Sequence, residues 1–75
     1  MMSLALQNAL VGFTPVFGDA DCFQIAKNLS QIHYQYKRNL KKKPSKNYAE
    51  KLVLLENNTI YLINEVKKRY ANKDS

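Results

Sequence analysis

The sequence predicts an all-α fold. It is a long antiparallel helical hairpin, residues about 20–40 and 47–71, with a short N-terminal helix, three helices in total. Two observations carry this. Apolar residues recur at helical spacing through two long stretches, and a Pro-containing basic connector separates them. A third agrees with it: among 75 residues there are only two glycines and two prolines.

The N-terminal stretch, residues 1–18, has no charged side chain. Ser3 is placed to cap a short helix carrying Leu4, Leu6, Ala9 and Leu10, and Gly12 suits its C-terminal end. The stretch lacks the basic start of a signal peptide. Gln7, Asn8, Gly12 and Pro15 interrupt it too often for a membrane span. Three uses fit it: a third helix on the hairpin, insertion into a partner through Phe13 and Phe17, or shallow contact of residues 4–17 with a membrane surface. Residues 13–21 then read as a turn, with Pro15 and Gly18 shaping it and Asp19 or Asp21 capping the next helix.

In residues 20–40, Cys22, Ile25, Leu29, Ile32 and Tyr36 alternate in threes and fours. Ala26, His33 and Leu40 widen that stripe, and Lys37 and Arg38 complement the negative end of the helix dipole. Residues 41–46, KKKPSK, form the connector, because Pro44 disfavours helix at Lys43.

The longest pattern is 47–71. Tyr48, Leu52, Leu55, Thr59, Leu62 and Val66 form one stripe, with Ile63 and Tyr70 at its edge. Asn47 followed by Glu50 approximates a capping box. A second pattern fits the middle of this stretch: LVLLE and TIYLI as two strands joined by an Asn-Asn turn. As a helix, 52–63 is apolar nearly all round, since Val53 and Ile60 flank the stripe on one side and Leu54 and Tyr61 on the other. Such a helix calls for cover on more than one face. With a short connector the two long helices are antiparallel, pairing Tyr36 with Leu52, Ile32 with Leu55, Leu29 with Thr59, Ile25 with Leu62 and Cys22 with Val66. Lys67, Lys68 and Arg69 then meet Asp19 and Asp21. Residues 72–75 form a frayed tail.

The chain is one domain at most. Its core is small, and one cysteine and one histidine supply neither a disulfide nor a zinc ligand set. Association is the remaining way to add buried surface, most simply as a homodimer forming a four-helix bundle. The lone thiol of Cys22 fits a reducing, cytoplasmic setting. No cofactor, metal site or small-molecule substrate is expected. His33 and Cys22 have no catalytic neighbour at a recognisable spacing, so the expectation is a non-enzyme.

Two functional readings follow. The first is a protein-interaction module, an adaptor, inhibitor or small assembly subunit, using Val53, Leu54, Ile60, Tyr61, Phe13 and Phe17. The second starts from the formal charge of +6. Lys37, Arg38, Lys41, Lys42, Lys43 and Lys46 fall together without an acid, flanked by Tyr34, Tyr36 and Tyr48. Cations release counterions on phosphates and tyrosines stack on bases, so this cluster suits nucleic acid. A solvated loop that discourages aggregation and complements a helix C-terminus is the commoner use of such a cluster.

Overall fold

The computed structural model describes residues 3–39 and 46–71. They form three helices: α1, Leu4–Leu10; α2, Ala20–Asn39; and α3, Lys46–Ala71. The described chain has no strand, so residues 52–63 lie in one continuous helix and not in a strand pair. The connector residues Lys41, Lys42, Lys43 and Pro44, and the tail 72–75, lie outside the described residues.

α1 begins where the sequence places it. Ser3 has extended backbone angles, and its hydroxyl accepts from the Leu6 N–H at 3.2 Å. The helix ends in a tight turn, with the Phe13 N–H donating to the Leu10 carbonyl at 3.1 Å. Val11 (φ −64°, ψ 125°) and Gly12 (φ 75°) occupy its two central positions. That is a type II turn, which needs positive φ at its third residue. A second turn repeats the device: the Asp19 N–H donates to the Val16 carbonyl at 3.2 Å, and Gly18 has φ 87°. Asp19 then caps α2, its Oδ1 accepting from the N–H groups of Asp21 (2.9 Å) and Cys22 (3.1 Å).

One sequence expectation fails at the start of α3. Lys46 opens this helix and does not belong to the connector, and Asn47 lies inside the first turn, where it cannot be the cap residue. The helix is about 39 Å long at 1.5 Å per residue, so it outreaches α1, at about 10 Å, nearly fourfold.

Both α1 and α2 pack on α3. α2 runs antiparallel to it. At one end Arg69 of α3 meets Asp19 and Asp21, and at the other Tyr48 donates its hydroxyl proton to the Gln35 side-chain oxygen. α1 runs parallel to α3, with Ser3 beside Glu56 and the Val11 carbonyl accepting from the Lys67 ammonium at 2.7 Å. The core is Leu6, Ala9, Cys22, Ile25, Ile32, Ile63 and Val66. Fully burying each larger aliphatic side chain among them contributes about 1.5–3 kcal/mol. The molecule is elongated, 48 × 21 × 17 Å, so much of every helix faces solvent.

The buried seam of α3 differs from the expected one. Glu56, Thr59, Ile63 and Val66 are its buried members, while Leu55 and Leu62 are only half-buried. The helix is rotated by about 40° from the most apolar stripe. The cause is α1, which covers the Glu56–Lys67 flank and draws Ile63 fully inward.

Candidate functional site

Glu56 is the least expected residue of the core. It is 6% exposed, and its carboxylate ties the three helices together. Oε2 accepts from the Ser3 N–H at 3.2 Å, at the head of α1. Oε1 accepts from the Tyr36 hydroxyl at 2.7 Å, on α2. Burial of the Tyr36 ring, with the Glu56 carboxylate beside its hydroxyl, pushes the Tyr36 pKa up to about 12. A buried carboxylate is costly unless its lone pairs are matched, and here two donors match them. The chemistry of this node is structural, since its atoms are occupied with one another.

A second polar node closes the opposite end. Arg69 bridges Asp19 (Nη1–Oδ2, 3.2 Å) and Asp21 (Nη2–Oδ2, 2.7 Å), as the antiparallel register requires. The Tyr70 hydroxyl donates to Asp19 Oδ2. That hydrogen bond, with the Cys22 N–H next in weight, holds the Asp19 pKa below the ordinary carboxylate value. The same bond raises the Tyr70 pKa, and the Asp21 carboxylate raises that of Arg69.

The expected sites are placed unevenly. Lys37 and Arg38 are exposed at the end of α2, and Lys46 is exposed at the start of α3. Lys41, Lys42 and Lys43, the middle of the basic cluster, lie outside the described residues. Of the three flanking tyrosines only Tyr34 is exposed. Tyr36 is held by Glu56 and Tyr48 by Gln35, so neither ring stands free beside the cluster. Gln24 donates to the buried Asn28 at 2.8 Å, and Gln35 is taken by Tyr48.

The apolar set divides too. Val53, Leu54 and Tyr61 are exposed on α3, and Phe17 is fully exposed at the tip of the second turn. Ile60 and Phe13 are half-buried against the core, so they are committed within the chain. Ile60 lies on the flank that α1 covers, whereas Val53 precedes the start of that cover. His33 is exposed. Cys22 is a core residue whose Sγ accepts from the Val16 N–H at 3.3 Å.

Among the described residues no group of three or more His, Cys, Asp or Glu side chains is placed to hold a metal ion. No described helix is long and apolar enough to cross a membrane. No protein-family model, curated protein or solved structure matches the chain. The fold puts it among small all-α proteins, with α3 as the shared packing element.

Sequence reading missed Glu56 as a structural residue. The signal was present in the spacing. Leu52, Glu56, Thr59, Ile63, Val66 and Tyr70 also alternate strictly in fours and threes.

Proposed function

We propose that the protein is a small non-enzymatic interaction module that associates with a second copy of itself through the outward face of α3. One observation carries this reading. Leu54 and Tyr61, 61% and 64% exposed, lie two turns apart on the side of α3 opposite its buried seam. Val53 extends the same apolar surface. Among the described residues nothing covers it, and each of these side chains gains free energy by leaving water.

The spacing suits a two-fold arrangement. Two α3 helices crossing antiparallel near Asn57 and Asn58 bring Leu54 of each copy to Tyr61 of the other, so one patch serves both sides of the contact. The same arrangement brings Glu50 toward Glu65 of the second copy at each end. Salt screens that repulsion and therefore tightens the dimer. The lone buried thiol supports a reducing, cytoplasmic setting.

Sedimentation equilibrium tests the proposal. The wild-type chain should be dimeric at micromolar concentration, more so as salt rises. Leu54→Glu and Tyr61→Glu should be monomeric with unchanged helicity, because both side chains already face solvent. A wild-type monomer up to roughly 1 mM, a concentration at which an association would be worth only about 4 kcal/mol, would refute it. Ile60 is unsuited to this test: a charge there enters the folded core as well.

A further inference from the structure

We propose that the outward face of α2 is a sequence-independent binding surface for single-stranded nucleic acid, formed by Phe23, Lys27, Tyr34 and Arg38 with Lys37 at its edge. This inference uses a different helix from the dimer contact and stands apart from it. The four residues recur at spacings of four, seven and four, so they share one helical face, opposite the buried Ile25 and Ile32. Phe23 and Tyr34 are 68% and 62% exposed. Eleven residues of helix separate them by about 16 Å, the span of several nucleotides. The Lys27 ammonium sits 5.8 Å from the Phe23 ring centre, and Arg38 follows Tyr34 by one turn, so a cation accompanies each ring.

The charge distribution favours the same partner. α2 has no acidic residue after Asp21, and both Asp19 and Asp21 are already paired with Arg69. Of the other described acids, Glu56 is buried, and Glu50 and Glu65 lie on α3. The α2 face therefore presents cations alone. Cations spaced along a groove or face neutralise phosphates, and exposed rings stack on bases whatever their identity. A duplex hides its ring faces and would leave Phe23 and Tyr34 unused. A lipid surface calls for a continuous apolar face, whereas here Lys27, Ser30 and Gln31 separate the two aromatics. Little base-specific readout is expected, since Gln31 is the one amide side chain beside this face and the amides of Gln24 and Gln35 bond within the protein.

The test is fluorescence anisotropy of a labelled oligothymidylate of about a dozen nucleotides, titrated with the full chain across a salt series. Wild type should bind the single strand more tightly than a duplex of equal length. Tyr34→Ala should weaken binding about tenfold, and Tyr34→Phe, which keeps the ring, should not. Lys27→Gln should reduce the slope of log K against log salt by about 0.7. Circular dichroism of each variant confirms that the exposed substitutions leave the helices intact. No binding at low salt overturns the proposal. So does equal affinity for the duplex with no effect of Tyr34→Ala, which describes a mere polycation. Binding to anionic phospholipid vesicles without binding to the oligonucleotide overturns it in favour of a membrane surface.

Discussion

Replacing Glu56 by alanine should cost this small protein a large share of its stability, and the cost should be shared with Tyr36. Glu56→Ala removes the acceptor for two donors, the Ser3 N–H and the Tyr36 hydroxyl. A hydrogen bond to a charged group is worth about 1.5–3 kcal/mol when its partner is lost. Ser3 and Tyr36 are half-buried, so water recovers part of this, and removing a buried charge returns some desolvation energy. The net loss should be about 2–4 kcal/mol. A chain of this size has roughly 4–11 kcal/mol in total. Tyr36→Phe removes one of the two donors and should cost about 1–2 kcal/mol. Because the two side chains share one bond, the double variant should lose at least about 1 kcal/mol less than the sum of the single losses. Urea unfolding followed by far-ultraviolet circular dichroism measures all four proteins at neutral pH. Additivity within about 0.5 kcal/mol, or a Glu56→Ala protein more stable than wild type, would refute the node as a tie between helices.

Asp19 gives an acid-side prediction. Its folded pKa lies below the ordinary value of 3.8, so its stabilising effect is present above that value and is lost as pH falls below it through the folded pKa. Asp19→Asn keeps a capping oxygen but not the charge, and should flatten the loss of thermal stability below about pH 4; an unchanged acid limb would contradict the Asp19–Tyr70–Arg69 node. Gly18→Ala should destabilise by about 1–2 kcal/mol through its positive φ alone, because the space around the added methyl group is open; an unchanged urea midpoint would show that the turn relaxes.

Local pattern carried the fold a long way. The periodicity of 20–40 and 47–71, the Ser3 cap, the Gly12 and Gly18 turns and the pairing of Arg69 with Asp19 and Asp21 were all legible, because each depends on residues close in sequence or on one register. What was not legible depends on distant partners. Leu55 and Leu62 made the more apolar stripe, yet Glu56 and Ile63 are the buried ones. The reason is α1, whose Ser3 lies 53 residues from Glu56. Only that approach, together with Tyr36 at 20 residues, makes a buried carboxylate tolerable. The same long-range packing explains why Ile60 and Phe13 left the expected interface set while Leu54, Tyr61 and Val53 stayed exposed. Pairing between α2 and α3, Tyr36 with Glu56 and Tyr48 with Gln35, takes both tyrosines away from the basic cluster. The stripe of Phe23, Lys27, Tyr34 and Arg38 was readable in spacing, but that Tyr34 stays outside while Tyr36 turns inward depended on the packing.

The parallel pairing of α1 with α3 has a consequence for how the chain is made. Leu6, Ile25 and Ile32 emerge in synthesis before α3, yet α3 is their shared packing surface. Ile63 and Val66 sit in the last third of α3, and the Lys67–Val11 contact spans 56 residues. Until α3 has been made, α1 and α2 therefore have no shared core to collapse onto. Such non-local closure is slow for a helical protein of this size, and it leaves the uncharged first 18 residues exposed while they wait. During translation, the segment most in need of shielding is made before the helix that shields it.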